Sequence, residues 1–298
     1  MTDPLQEIPL EGGIANRGRV VRVGETVRRP LRPTSSATHA LLQHLGHVGF
    51  DGAPQFLGID AQGREVLSYI PGAAVTPPYP AWSLTDAALV SVALLLRRYH
   101  EAVVDFEFSG HLWPQSAPEP YSGELISHND PNLDNVVFRE GQAVAFIDFD
   151  LASPGSRLWD VAAAVRLWAP LRDDVDITDA RKGRVLERFR RMIDAYGLDQ
   201  SERLKIVDAI HKNHDWLYSI IRSGADHGNA GFADYWEQAA PHVSIARGIG
   251  TKKTTSCWSR PSFRRCRKRN GDPCPAAPLR IAAAGRRRVG CGGSRSAG

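Results

Sequence analysis

Three side chains with oxygen donors stand where the sequence predicts that the two ends of a β-hairpin meet. Asp130 and Asn135 lie five residues apart in the loop before the hairpin, and Asp148 closes its second strand. We expect the hairpin to bring all three to one edge of a small sheet. Carboxylate and amide oxygens that converge in this way suit a hard divalent cation and a nucleophile that needs a base.

Two apolar runs predict the hairpin itself. Residues 135–138 and 143–147 are rich in β-branched and aromatic side chains, and the polar turn REGQ at 139–142 separates them. An ordinary acidic hairpin, whose Asp and Asn residues only form turns, would share these features. The order of His128, Asp130 and Asn135, followed by Asp148 and then Asp160, is more restrictive, and it favours a catalytic site.

These residues carry a family resemblance. The segment from His128 to Asn135 (HNDPNLDN) resembles the His-x-Asp-x-x-x-x-Asn catalytic loop of the protein-kinase-like fold. It is most similar to the branch of aminoglycoside phosphotransferases and choline kinases, where the loop usually reads His-Gly-Asp. The segment IDFD at 147–150 is similar to that branch's form of the metal-binding Asp-Phe-Gly.

The resemblance implies a role for each matching residue. Asp130 would accept the proton of the attacking hydroxyl, while Asn135 and Asp148 would hold Mg²⁺ against the phosphates of ATP. Asp160 would tie down the backbone of the catalytic loop. The residues expected to give structural support are His128, Asp150 and Asp160.

The implied fold is α+β, with two lobes as in protein kinases. Residues 1–71 would form a nucleotide-binding lobe of antiparallel sheet with one helix. Residues 72–248 would form a mainly helical lobe for catalysis and substrate binding, and residues 249–298 a basic tail. Helical periodicity predicts helices at 34–47, 84–104, 161–171, 180–196, 201–223 and 232–246.

Two details of the predicted helices bear on the site. His100 is expected to pack near the catalytic loop in a structural role. Four arginines lie at helical spacing, and we interpret them as a solvated face that pairs with local acids such as Glu187 and Asp194. These arginines are Arg181, Arg184, Arg188 and Arg191.

The residues that bind the phosphates are predicted to lie in the N-terminal lobe. Gly13 belongs to a glycine-containing loop that would cover the phosphates, before a hairpin at 19–23 and 26–29. Family relatives carry a Lys on the second of these strands, whereas this chain offers Arg28 and Arg29. Alternation puts Arg29 on the same face as Val27, so Arg29 points at the phosphates and Arg28 at solvent if Val27 lines the adenine side.

Two further features of this lobe follow from the resemblance. The family's helix supplies a Glu to the strand Lys, but no acid occurs between residues 34 and 50, and His39 stands about where that Glu would be. This puts the family's usual phosphate clamp in doubt. Ser68, Tyr69 and Ile70 resemble the hinge between the lobes, where backbone groups would bind adenine.

The net charge of +4 is unevenly distributed. Residues 250–298 hold 13 Lys and Arg against one acid, which leaves a net charge of −8 on residues 1–249. The tail also holds all four cysteines, with no Cys-x-x-Cys pair, which argues against a zinc site. Its composition favours a disordered appendage, with a nucleic-acid-binding arm and a frame-shifted end as alternatives.

Composition and terminal pattern bear on location. No apolar run approaches the roughly 20 residues that cross a bilayer. The start of the chain has no basic region followed by a hydrophobic stretch, which argues against a secretory signal. A cytoplasmic enzyme is therefore expected, without a membrane partner.

The expected acceptor is a hydroxyl of a small molecule that resembles an aminoglycoside, choline or a sugar. The missing Lys and Glu leave an inactive nucleotide-binding relative as an alternative, and the tail leaves a nucleic-acid-associated protein. Oligomeric state is not indicated.

Overall fold

The computed structural model of the protein describes residues 6–10, 18–172, 174–229, 231–234 and 236. The predictions for Gly13, for most of the helix at 232–246 and for the basic tail at 249–298 lie outside these residues.

An antiparallel sheet forms the N-terminal part of the described chain. Its strands are β1 (Glu7–Pro9), β2 (Val21–Val23), β3 (Thr26–Pro30), β4 (Phe56–Ile59) and β5 (Arg64–Ser68). They lie in the order β1-β2-β3-β5-β4, so β3 is central and pairs with β5. Gly24, at φ 59°, permits the tight turn between β2 and β3. In the β3–β5 register Arg29 lies directly opposite Glu65.

Helix α1 (Ser35–His47) follows β3 and matches the predicted helix to within one residue. Its buried residues include Ala37, Leu41 and Leu45, which recur every four positions and form one apolar face. The chain leaves the helix through Gly49, whose φ of 74° suits a residue without a Cβ.

The remainder is mainly helical and carries two small antiparallel sheets. Its elements are α2 (Asp86–Ala102), β6 (Leu125–Ser127), β7 (Val136–Arg139), β8 (Gln142–Phe146), β9 (Ser153–Gly155), α3 (Arg157–Trp168), α4 (Val185–Tyr196) and α5 (Gln200–Asp226). Strand β6 pairs with β9, and β7 pairs with β8. This sheet followed by helices is the α+β architecture that the sequence predicted. The predicted lobe boundary near residue 71 falls between β5 and α2 and stays a prediction.

The β7–β8 hairpin lies where the sequence predicted it. Glu140 and Gly141 form its turn with φ values of 52° and 75°, the two positive values that a type I′ turn requires. Helix α2 packs against β8 and buries most of its surface, but it keeps an exposed stripe at Leu94, Arg97 and Glu101, so the nearly all-round burial that its apolar middle implied was only partly right. Thr85 caps its first turn by accepting a hydrogen bond from the amide of Ala88 at 3.2 Å.

Within the described residues, no helix is both long and apolar enough to cross a membrane.

Two predicted helix starts were wrong. Helix α3 begins at Arg157, not after Asp160, because the Ser156 hydroxyl caps it by accepting from the amide of Trp159 at 3.2 Å. Helix α4 begins at Val185, not at residue 180. Arg181 instead folds back on Asp179, which accepts from both its amide and its guanidinium.

The predicted solvated arginine face was also partly wrong. Arg188 is fully buried, donating from Nε to the carbonyl of Trp168 at 3.0 Å and from Nη1 to that of Leu84 at 2.7 Å. Burial lowers the pKa of Arg188 to about 10. Arg184 and Arg191, the two arginines on either side of Arg188, do pair with Glu187 as expected, and also with Asp86. Asp194 pairs with Arg203 instead.

Replacing Arg188 by Met should destabilise the protein, because the carbonyls of Trp168 and Leu84 would lose a donor inside the core. We expect a loss of about 2–4 kcal/mol in the free energy of unfolding. Urea denaturation followed by circular dichroism would measure it. Arg191→Met on the same helix is the control. Because the Arg191 side chain is half exposed, this change should lower the free energy of unfolding by less than about 1 kcal/mol. Equal losses in the two variants would refute the structural role of Arg188.

Candidate active site

The catalytic loop brings Asp130 and Asn135 into direct contact. A short 3₁₀ turn at Leu133–Asn135 ends the loop and places the Asn135 side chain beside Asp130. Asn135 Nδ2 donates to Asp130 Oδ2 at 2.9 Å and to the Asp130 carbonyl at 3.0 Å. The amide thus fixes the orientation of one carboxylate oxygen, and the amide oxygen of Asn135 stays available as an acceptor or ligand.

Asp148 meets the N-terminal sheet through Arg29. The chain leaves β8 with Asp148 in the left-handed region, at φ 60° and ψ 67°, a conformation that few residues with a side chain adopt. Arg29 Nη1 donates to Asp148 Oδ1 at 3.1 Å and lies 3.0 Å from Asp150 Oδ1. Arg32 forms a further ion pair with Asp150. One strand of the sheet therefore contacts the acidic segment that follows the hairpin.

The two candidate arginines point in different directions. Arg29 is buried and reaches Asp148, whereas Arg28 lies on the other face of β3 and pairs with Asp60 at 3.6 Å. Arg28 is therefore held by an acid rather than directed freely into solvent. Arg29 has a third acidic partner, because its Nε lies 2.6 Å from Glu65 Oε1 on the neighbouring strand.

The carboxylates of the site differ in their affinity for protons. Desolvation and the charges of Asp134 and Asp148 raise the pKa of Asp130 to about 7, although Arg166 and the Asn135 hydrogen bond oppose this. Burial acts to raise the pKa of Asp148, but the charges of Arg29 and Arg32 and a hydrogen bond from Asp150 together outweigh it and hold that pKa below its usual range. Burial and the neighbouring Asp148 charge raise the pKa of Asp150 to about 7.

Asp160 lies beneath the catalytic loop and binds its backbone. Its two carboxylate oxygens accept from the amides of His128 at 2.7 Å and Asn129 at 2.8 Å. His100 lies 3.0 Å from the same carboxylate through Nε2 and 2.7 Å from the Tyr196 hydroxyl through Nδ1. Burial acts to raise the pKa of Asp160, but these hydrogen bonds hold it below its ordinary value.

His128 connects the catalytic loop to the end of the hairpin. Its Nδ1 accepts from the amide of Asp130 at 3.3 Å, so Nε2 carries the proton and donates to the carbonyl of Ile147 at 3.1 Å. Burial lowers the pKa of His128, which favours the neutral ring that this pattern requires. The ring thereby links the backbone at Asp130 to the residue before Asp148.

Sequence reasoning missed three residues that support the loop. Asn129 has φ 68°, so it occupies the left-handed position for which the family uses Gly. Its side chain donates to Leu151 and Ser153 and accepts from Trp159 Nε1 at 2.9 Å. Trp168 Nε1 donates to the carbonyl of Pro131 at 2.7 Å. The one available signal was the Asn in the family's Gly position.

Two backbone amides of the predicted hinge already donate to other backbone carbonyls. The amide of Ser68 donates to the carbonyl of Gln55 and that of Tyr69 to the carbonyl of Glu25, each at 2.9 Å. Adenine recognition at this segment would therefore depend on carbonyl groups and on the amide of Ile70.

The donor set near the hairpin fits Mg²⁺. This ion favours one or two carboxylates and completes its shell with water and phosphate oxygens, so Asp148 and the Asn135 amide oxygen suffice from the protein. Among the described residues no group of three or more His, Cys, Asp or Glu side chains is arranged to hold a metal ion. A site built from one acid and one amide does not require such a group.

Fold and site together define a protein-kinase-like phosphotransferase architecture. The chain belongs to the phosphotransferase enzyme family, whose model matches residues 111–196. That range contains the catalytic loop, Asp148 and Asp160, whereas the N-terminal sheet with Arg29 lies outside it.

Individual relatives support this assignment. The chain is 35% identical over 212 residues to the trifolitoxin immunity protein of Rhizobium leguminosarum bv. trifolii, which covers 68% of this chain and 79% of that protein. The ADP-bound aminoglycoside phosphotransferase APH(2'')-Ib is 14% identical with a TM-score of 0.57, covering 85% of this chain and 95% of that one. A choline/ethanolamine kinase family protein from Mesorhizobium loti is 19% identical with a TM-score of 0.53, covering 88% and 90%. These two structures share the fold.

Replacing Asp160 by Asn should destabilise the catalytic loop although the shape is unchanged. The new NH₂ group would face a backbone amide, so two donors would meet in a fully buried site. We expect a loss of about 2–4 kcal/mol in the free energy of unfolding, measured by urea denaturation.

Asp199→Asn is the matched control for this change. Asp199 accepts from the amide of Glu202 at 2.9 Å, but it caps α5 at the surface, where Asn and Asp are equivalent caps. The control should therefore leave stability nearly unchanged. Similar losses for the two variants would contradict our account of Asp160.

Proposed function

We propose that this protein transfers the γ-phosphoryl group of ATP to a hydroxyl group of a small molecule. The observation that carries the proposal is the contact between Asp130 and Asn135 in a loop whose backbone Asp160 binds. Membership of the phosphotransferase enzyme family supports the same reaction.

Asp130 is the base in this reaction. Its raised pKa makes it a better proton acceptor than an ordinary carboxylate, and Asn135 holds the carboxylate in place. The hydroxyl proton passes to Asp130 as the acceptor oxygen bonds to the γ-phosphorus. The bond from that phosphorus to the oxygen bridging it to the β-phosphate breaks, and ADP leaves.

The remaining groups neutralise and align the phosphates. Asn135 and Asp148 would hold Mg²⁺, which when bound supplies positive charge to the phosphate oxygens. Arg29 would contact the phosphates from β3 with its remaining donors, since Nε faces Glu65 and Nη1 faces Asp148 and Asp150. Asp150 keeps the Arg29 guanidinium near Asp148. Alignment and charge neutralisation are the main requirements of phosphoryl transfer.

Several classes of small molecule are candidate acceptors of the phosphoryl group. The negative charge of residues 1–249 suits a cationic acceptor, such as an aminoglycoside or a choline-like amine, and sugars remain candidates. Because one fold serves many substrates, the fold does not choose among them. The use of ATP suggests a cytoplasmic location.

A second candidate function is protection against a toxic compound. The observation that favours it is the 35% identity to a protein named for immunity to trifolitoxin. Phosphorylation of a hydroxyl on the toxin would be the corresponding chemistry at the same site. A panel of acceptors should therefore include antimicrobial compounds beside aminoglycosides, amino alcohols and sugars.

Replacing Asp130 by Ala should abolish phosphoryl transfer while nucleotide binding survives. We expect the rate of acceptor-dependent ADP release to fall by about 10²–10⁴-fold, because the base is lost. Calorimetry with Mg-ATP would check that binding is retained. Glu101→Gln, a change at an exposed acid on α2, should leave both measurements unchanged.

Two outcomes would contradict the proposal in different ways. An Asp130→Ala protein that transfers phosphate at the original rate would exclude Asp130 as the base. A natural protein that binds Mg-ATP but releases ADP with no acceptor of the panel would favour the inactive relative.

A further inference from the structure

We propose that Glu65 is a positioning residue for the nucleotide site, where it holds Arg29 from the neighbouring strand in place of an acid on α1. The inference rests on the proposed function, since it assigns Arg29 to the phosphates. The inference adds the residue that sets the orientation of the Arg29 side chain.

The pair is formed by the register of the sheet. Arg29 and Glu65 are direct partners across the β3–β5 ladder, and their side chains lie on the same face. Arg29 Nε and Glu65 Oε1 are 2.6 Å apart, a close ion pair in which the N–H bond is not aligned on the oxygen. Glu65 is 1% exposed and Arg29 7%, so each charge depends on its partners rather than on water.

The shape of arginine explains why its acid comes from a strand. The guanidinium has separate donor sides, with Nε nearer the strand and the Nη atoms beyond it. Glu65 occupies the Nε side, while Nη1 reaches Asp148 and Asp150. A lysine presents a single ammonium at the end of its chain, which an acid on a helix can approach. Arg29 can instead be held close to its own strand.

Helix α1 touches this pair through a histidine instead of an acid. His39 Nε2 lies 2.7 Å from Glu65 Oε2, so the two carboxylate oxygens contact different partners. The His39 ring also stacks on Phe56 of β4, with 3.7 Å between ring centroids and 12° between planes. His39 therefore contacts the acid, and the acid contacts the cation.

Glu65 also limits how strongly Arg29 binds the acids on its far side. With Glu65 present, the positive charge is shared among three carboxylates. Without it, Arg29 would pair more tightly with Asp148 and Asp150 and would be drawn away from the phosphates. Loss of the Glu65 charge should therefore weaken nucleotide binding more than it slows the chemical step.

The test compares nucleotide binding by Glu65→Gln, Glu65→Asp and the natural protein. Calorimetry with Mg-ATP and with Mg-GTP gives the dissociation constant, and thermal unfolding without nucleotide checks folding. We expect Glu65→Gln to weaken binding by about tenfold or more, because one partner of a buried charge pair is lost. Glu65→Asp keeps the charge but shortens the side chain, and it should show an intermediate loss.

Glu25→Gln is the matched control. Glu25 pairs with Arg22 at 2.8 Å in the turn between β2 and β3, and its side chain is 75% exposed. It should bind nucleotide like the natural protein. A loss equal to that of Glu65→Gln would show a general effect of charge on the sheet and would overturn the inference.

A rescue experiment separates positioning from mere stability. In the Glu65→Gln background, His39→Glu returns an acid to α1 at the position that contacts residue 65, and it should recover most of the lost affinity. His39→Gln in the same background restores no charge and should recover none. Equal behaviour of the two double variants would overturn the inference.

The outcomes also distinguish this inference from the proposed function. If the natural protein binds neither nucleotide in the presence of Mg²⁺, the proposed function fails and the inference fails with it. If the natural protein binds nucleotide, and both Glu65→Gln and Glu65→Asp bind it as tightly as the natural protein does, the proposed function stands. Only the role of Glu65 is then excluded.

Discussion

The structure depends on one buried guanidinium that contacts three carboxylates. Arg29 joins Glu65 on its own sheet to Asp148 and Asp150, and Asp148 is 119 residues further along the chain. Removing a charge from water is costly unless opposite charges replace the solvent. Burial acts to lower the pKa of Arg29, but its acidic partners outweigh this and raise it. The requirement to satisfy this charge fixes the N-terminal sheet against the segment that follows β8.

Much of the fold could be predicted because it follows from local patterns. The periodicity of α1 and the turn of the β7–β8 hairpin are visible in short stretches of sequence, and the structure confirms them. The starts of α3 and α4 could not be predicted from periodicity. They depend on the Ser156 cap and on the contact of Arg181 with Asp179, which are individual side-chain interactions.

The candidate site divides in the same way. Asp130, Asn135 and Asp148 could be proposed from their order along one predicted hairpin and from the family resemblance. The residues that support Arg29 and the catalytic loop come from distant segments, and neither charge nor hydrophobicity in the sequence indicates which residue pairs with which. Examples are Glu65, His39, Trp159 and Trp168. Arg188 was misplaced for a similar reason, since helical spacing does not reveal which face of a helix meets backbone carbonyls in the core.

The left-handed residue before Asp130 has a consequence for how such chains are recognised. Asn129 combines a backbone shape that glycine would tolerate with a side chain that binds the indole of Trp159. The amide oxygen and the indole N–H therefore satisfy each other inside the protein, and loss of either leaves the other without this partner. Across a lineage we expect the two positions to change together, so a search pattern that insists on glycine would overlook proteins built in this way.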